Sequence, residues 1–336
     1  MGKIILTIAV PVFNGGVPLI EAIESCKNID LPAEDFEILI IDNCSTDGMI
    51  DEVSLKYSAQ LPLRIIHNEI NCGRINNWNK CIEYADGEFI LFLFANDLIA
   101  QSNSVQEAIA MFRTNDHCAL VSAPWIYSDF LQVKQFIEPE FFLRTPVIGY
   151  YEAYKNISKV IETGKLPFVC LQSCFLRTST VKSAGILFDP QMPLTTDGVF
   201  LSALAIETGV VGFIDRPTMI FRYNAPNRQH SNVKLDEHVE QMLNAFISIS
   251  RLSERLQIDL TLAFVNFTGL ENLIAYLLRN PNSKGLKTAM QMKGAWSKSV
   301  KKAQFNSSLL YRRIIMRFFI LPYKGIAFLY RNLKRV

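Results

Sequence analysis

Short, unbroken apolar runs that end in polar residues constrain this chain more than any other feature. Ile4–Val12 closes on Phe13-Asn14, and Glu37–Ile41 opens into Asp42-Asn43-Cys44-Ser45-Thr46-Asp47-Gly48. Leu63–Ile66 is a third run, and Phe89–Leu93 opens into Phe94-Ala95-Asn96-Asp97. Runs this short and this β-rich suit strands buried on both faces. Between them lie segments with helical spacing. Pro18–Cys26 places Leu19, Ile20, Ile23 and Cys26 on one side, and Met49–Tyr57 follows Ser45, Thr46 and Asp47, which can cap it. Asn76–Ala85 and Ser104–Arg113 complete the set. Alternating strands and helices predict an α/β fold, a mainly parallel sheet between two helical layers. In such a sheet, polar groups released at the carboxyl ends of the strands build the ligand crevice.

The pattern changes twice further on. From Ala119 to about Gln172 the sequence is aromatic and irregular (WIYSDF, FIEPEFF, GYYEAY), which suits core packing with a lid or acceptor-facing role. Val199–Thr208 returns to a clear helix, and beyond Asp236 long helical periodicity dominates. A boundary is expected near Lys234, with residues 1–234 as the α/β domain and 235–336 as a C-terminal helical region.

Composition removes several classes. No run of eighteen apolar residues appears, so a transmembrane helix is not expected. The start, MGKIILTIAVPVFN, has neither a small-residue cleavage site nor a myristoylation signal and reads as a strand. Seven cysteines scattered through apolar segments indicate buried free thiols in a reducing compartment, with the cytoplasm as the default. Cys170 and Cys174 have no second pair or histidine nearby to make a zinc site. His67 and His117 are expected in the core.

Charge is divided unevenly. Lys284–Val336 carries thirteen Lys/Arg and no Asp/Glu, leaving 21 basic against 32 acidic residues in the rest of the chain. Within this tail, Leu310–Val336 interleaves Arg and Lys with Ile, Phe, Leu and Tyr. That composition suits a helix, broken near Pro322 and Gly325, lying on an anionic membrane surface. Aliphatic residues outnumber stacking aromatics here, so nucleic acid is not the expected partner.

The dinucleotide-binding glycine motif, the P-loop and the serine nucleophile elbow are all missing. What remains is an ordered set: Val10-Pro11-Val12-Phe13-Asn14, Asp42-Asn43-Cys44-Ser45-Thr46-Asp47, Asn71-Cys72-Gly73, Asn79–Ala85 with Gly87-Glu88-Phe89-Ile90, and Thr196-Asp197-Gly198 before a helix. Over about Ile4–Ser231 this set resembles the family 2 glycosyltransferases, inverting enzymes of the GT-A fold. The resemblance implies a nucleotide-sugar donor, with a UDP- or dTDP-sugar favoured, and a glycan or lipid-linked acceptor. It also implies Mg²⁺ or Mn²⁺ as cofactor.

Residue by residue, Pro11, Phe13, Asn14, Asp42 and Asn43 would hold the nucleotide. Asp42 can accept from a uracil or thymine imide or the ribose, and Asn43 can both donate and accept; Asp47 is read as a helix cap. Arg74 could neutralise the donor phosphates, and Arg222 and His230 could reach them from a closing loop. The family's acidic motif reads Phe94-Ala95-Asn96-Asp97 here, which leaves Asp97 as the metal ligand with Asn96 offering a carbonyl oxygen. Asp197 matches the general base. The expected protein is an inverting transferase of surface polysaccharide biosynthesis, peripheral on the inner face of the cell membrane. The alternative is a non-catalytic subunit that binds nucleotide or glycan, or scaffolds an assembly.

Overall fold

The structure is a computed structural model and describes residues 3–129, 134–137, 149–152 and 170–223, together with 241, 244–245 and 248–249. The chain begins with β1 (Leu6–Val12), α1 (Gly16–Ser25), β2 (Phe36–Asp42), α2 (Met49–Tyr57), β3 (Leu63–His67), α3 (Arg74–Tyr84) and β4 (Phe89–Phe92). All lie within about two residues of their expected limits. These strands pair in the order β3-β2-β1-β4, every neighbour parallel. The chain therefore winds outward from β1 and then crosses back to β4 on its other side. Connections diverge at that switch point and leave a crevice beyond the carboxyl ends of β1 and β4.

The second half is β5 (Leu98–Ile99), α4 (Ser104–Thr114), β6 (Leu120–Ser122), β7 (Trp125–Asp129), β8 (Lys134–Ile137), β9 (Gly149–Glu152), β10 (Cys174–Arg177), α5 (Thr178–Ala184), α6 (Thr196–Thr208), β11 (Val210–Phe213) and β12 (Met219–Tyr223). The main sheet continues past β4 as β10-β6-β11-β9, with β10 antiparallel to both β4 and β6. A second sheet, β5-β12-β7-β8, stands apart. The sheet is mainly parallel, as expected. The reversed β10 and the second sheet went unread because strands of two to five residues are too short to display a period.

Period-two alternation builds two cores. Leu6, Ile8, Val10 and Val12 of β1, Ile38 and Ile40 of β2 and Leu91 of β4 face one helical layer. Ala9, Leu39, Ile41, Ile90 and Phe92 face the other, against Ile75, Trp78, Cys81 and Ile82 of α3. Both faces are covered, which is why these strands read as continuous apolar runs. Ala245 and Ile249, one helical turn apart, pack into the cluster that holds α6. The expected boundary near Lys234 and the basic tail lie outside the described residues. Among the described residues no helix is long and apolar enough to cross a membrane. All seven thiols are free, and five are buried. The two histidines depart from expectation: His67 is exposed at the end of the edge strand β3, and His117 is exposed in a turn.

At the opposite edge of the sheet from the crevice, one buried acid interrupts the apolar pattern. Glu37 accepts the Thr7 hydroxyl at 2.6 Å, the Asp86 backbone N–H at 2.9 Å and Arg64 Nε at 2.8 Å. Thr7 in turn accepts the Gly87 N–H at 2.9 Å, closing the loop that enters β4. A Cβ on Gly87 would stand 2.5 Å from the Thr7 backbone nitrogen, so only glycine fits there. Gly87→Ala should therefore cost about 1–3 kcal/mol, read as a lower denaturation midpoint with an unchanged slope.

Candidate active site

The crevice at the switch point is a cavity of about 670 Å³, within the range of small-ligand sites. One wall follows β1 and β2. The Asn14 backbone, at φ +50°, turns sharply after β1, a conformation asparagine tolerates better than most residues. The turn is tied to the loop after β2. Asn14 N–H donates to Ser45 Oγ at 2.9 Å, Thr46 N–H to Asn14 Oδ1 at 2.8 Å, and Gly16 N–H to Asp47 Oδ2 at 2.8 Å. Asp47 Oδ1 also accepts the Met49 N–H at the start of α2, so its role as a cap is joined by one as a clasp.

Below this wall lies a buried amide network. Asn43 Nδ2 donates to Asn71 Oδ1 at 2.8 Å, and Asn43 Oδ1 accepts the Cys72 N–H at 2.9 Å and Asn68 Nδ2 at 3.0 Å. Asn68 Nδ2 also reaches Asn77 Oδ1 at 2.9 Å, and Asn77 Nδ2 donates to the Ile41 carbonyl at 3.0 Å. Gly73, at φ +82°, then turns the chain into α3.

The other wall is the turn after β4. Asp97 is 1% exposed and lines the cavity floor. Its Oδ2 accepts Gln172 Nε2 at 2.9 Å and its Oδ1 the Arg222 backbone N–H at 3.2 Å, so both oxygens are held in place. The neighbouring Asn96 Oδ1 is buried and has no hydrogen-bond partner among the described residues. One oriented carboxylate beside one unengaged amide oxygen is a donor set for a hard cation. Among the described residues, no group of three His, Cys, Asp or Glu could hold a metal unaided. The protein's share would therefore be Asp97 and Asn96, with phosphate and water completing the shell.

Asp197, in the first turn of α6, lines the same cavity. Burial pushes its carboxyl up to about 6, while the Gly198 N–H and the charge of Arg74 act in the opposite direction. A carboxylate that titrates near neutrality in a cleft is suited to taking a proton. Between the two acids lies an aromatic surface. Phe94 stacks on Trp78 with ring centroids 4.9 Å apart, and the Arg74 guanidinium lies 5.3 Å from the Trp78 ring centre.

The structure thus gathers Pro11, Phe13, Asn14, Asn43, Arg74, Asn96, Asp97 and Asp197 around one cavity. Two expected site residues do not line it. Asp42 is turned inward, with Oδ1 accepting the Ser45 N–H at 2.9 Å and Oδ2 within 3.0 Å of His67 Nδ1. Arg222 runs behind the turn after β4, donating from Nε to the Asn96 carbonyl at 2.6 Å and pairing with Glu21 of α1. His230 lies outside the described residues. Sequence reasoning passed over Trp78, Phe94, Asn71, Asn77 and Gln172 as cavity residues. A tryptophan amid the asparagines of α3 was a visible signal; nothing local marked Gln172.

The crevice lies beyond the carboxyl ends of a 3-2-1-4 strand order, and both Asp97 and Asp197 line it. The model of Glycosyl transferase family 2 matches residues 7–181, over half of the sequence, and the chain belongs to that family. TarS of Staphylococcus aureus, a poly(ribitol-phosphate) beta-N-acetylglucosaminyltransferase, is 33% identical over 94 residues, 28% of this chain and 16% of its own length. A poly(ribitol-phosphate) beta-glucosyltransferase of Bacillus spizizenii is 32% identical over 95 residues, covering 28% and 15%. The chain thus spans about a sixth of the length of these relatives. Residues 1–349 of TarS in complex with UDP-GlcNAc align with a TM-score of 0.60 at 19% identity, covering 87% of this chain and 78% of that one. A mannosyltransferase from Pyrobaculum calidifontis in complex with GDP-Man and Mn²⁺ gives 0.53 at 15% identity, covering 97% and 82%. Both likenesses establish a shared fold.

The raised Asp197 carboxyl fixes the sign of a stability effect. The folded state holds this proton more tightly than the unfolded chain, so the residue costs stability as pH rises from about 4 through about 6. Asp197→Asn should raise Tm by a few degrees at pH 8, and the gain should vanish near pH 4 in thermal melts.

Proposed function

We propose that the chain is an inverting glycosyltransferase that moves a sugar from a nucleotide diphosphate donor to a hydroxyl of a surface glycan or polyol-phosphate polymer. The observation that carries this reading is that Asp197, in the first turn of a helix, lines the same cavity as Asn96 and Asp97, where burial pushes its carboxyl up. Pro11, Phe13, Asn14 and Asn43 receive the nucleotide at the ends of β1 and β2, and a UDP-sugar is the first donor to test, with a dTDP-sugar next. Asp97 and Asn96 would hold Mg²⁺ or Mn²⁺, which would offset the charge of the leaving diphosphate. Asp97 is kept in orientation by Gln172 and by the Arg222 N–H. Asp197 takes the acceptor proton as that oxygen attacks the anomeric carbon from the face opposite the diphosphate. Phe94 and Trp78 give the cavity an apolar side against which a sugar ring can rest.

Membrane association belongs to the same reading. The basic amphipathic tail supports a peripheral position on an anionic leaflet, where the acceptor would be lipid-linked.

Two experiments test the proposal. Nucleoside diphosphate release with a matched donor and acceptor should fall by ~10²–10⁴-fold in Asp197→Asn while donor binding persists. Asp97→Ala should abolish release, as should EDTA, with Mn²⁺ restoring only the parent protein. Full activity in both variants, or no release from any donor tried, would favour a non-catalytic binding subunit. Deleting Tyr311–Val336 should shift the protein from the membrane fraction to the supernatant; unchanged fractionation would remove the tail from this account.

A further inference from the structure

Arg74 opens α3, yet its side chain reaches a segment more than a hundred residues further along the chain. Nη2 donates to the carbonyl of Pro193, in the loop that delivers Asp197. The guanidinium also lies over the face of Trp78, one turn further along α3, and Trp78 is backed by Phe94. An arginine seated between a carbonyl and a ring face has a fixed position before any ligand arrives.

We propose that Arg74 is a positioning residue for Asp197: it fastens the loop that leads into α6 to the start of α3 and supplies the positive charge that faces the base. This assignment rests on reading Asp197 as the base, and it gives Arg74 a task other than gripping the donor phosphates.

The surroundings of Asp197 support it. Among the described residues, the charged and titratable groups recorded as interacting with Asp197 are Arg74 from α3 and the Cys174 thiol from β10. Burial pushes that thiol up to about 12, so it stays neutral in the working range. Arg74 is then the cation that favours the ionised base. The loop has other, uncharged fastenings. Leu194 N–H donates to Gln241 Oε1 at 2.7 Å, and Asp189 N–H donates to Thr196 Oγ1 at 2.7 Å. These should keep the loop folded when Arg74 is replaced, so that the change falls on the base.

The test compares Arg74→Gln with Arg74→Lys. Removing the charge raises the Asp197 carboxyl further, so in Arg74→Gln the acid limb of the pH–rate profile should move up. Its kcat should fall about tenfold, with donor KM within about threefold of the parent. Arg74→Lys keeps the charge without the fork and should hold the acid limb in place while kcat stays reduced. A second readout needs no turnover: the rise in Tm on adding Asp197→Asn at pH 8 should be larger in the Arg74→Gln background than in the parent. An unmoved acid limb together with an unchanged Tm increment would overturn the proposal. So would a loss confined to binding, seen as UDP affinity about tenfold weaker in Arg74→Gln by calorimetry, which would assign the guanidinium to the phosphates. If no donor supports turnover, the transferase reading fails, and the Tm increment alone decides whether Arg74 and Asp197 are coupled.

Discussion

The buried amide network beneath the crevice is the constraint on which the rest of this site depends. Asn77 turns inward from α3 and donates to the Ile41 carbonyl near the end of β2. Asn68 bridges Asn77 and Asn43, and Lys80 Nζ closes the set on Asn68 Oδ1 at 2.8 Å. Each of these groups is satisfied by another, and in a low-dielectric interior such a network is rigid while complete and costly when broken. It fixes the first turn of α3 relative to β2, and with it the directions in which Arg74 and Trp78 leave the helix.

This also explains what could be read from the sequence. Strands β1, β2 and β4 were legible because two covered faces require continuous apolar runs, and α1 to α4 because one covered face requires a helical period. The residues that ligand chemistry singled out in the sequence, Asp97, Asp197, Asn43 and the turn at Phe13-Asn14, are brought to one cavity. The site was illegible where the partner is distant in sequence. Asp42 has the residue type of a base-binding acid, but His67 and the Ser45 N–H claim its oxygens. Arg222 has the charge of a phosphate ligand, but Glu21 and the Asn96 carbonyl lie nearer to hand. Gln172 gains its importance from Asp97, 75 positions away, which no local pattern encodes.

Arg222 and Gln172 also clarify how a turn with a single acid can still present a well-defined anionic anchor. Strand β12 brings the Arg222 N–H to Asp97 Oδ1, while its side chain secures the Asn96 carbonyl. The 3₁₀ turn at Leu171–Ser173 brings Gln172 to the other oxygen. The second sheet, which the sequence did not announce, thus acts as the mount for this turn. The Gln172 amide and the Arg222 N–H each orient one oxygen of the carboxylate. The unengaged Asn96 oxygen sits in the same frame.

Replacing the first acid of the motif by Phe94 has a consequence for the whole cavity. An aspartate here would add a further negative group to the cavity that Asp97 and Asp197 line and would raise the cost of ionising Asp197. Phe94 instead covers Trp78, and Trp78 supports Arg74, whose charge faces Asp197. Phe94 thus provides an aromatic support that leads through Trp78 and Arg74 toward Asp197. The turn after β4 and the loop that leads into α6 are therefore linked through two rings and one guanidinium.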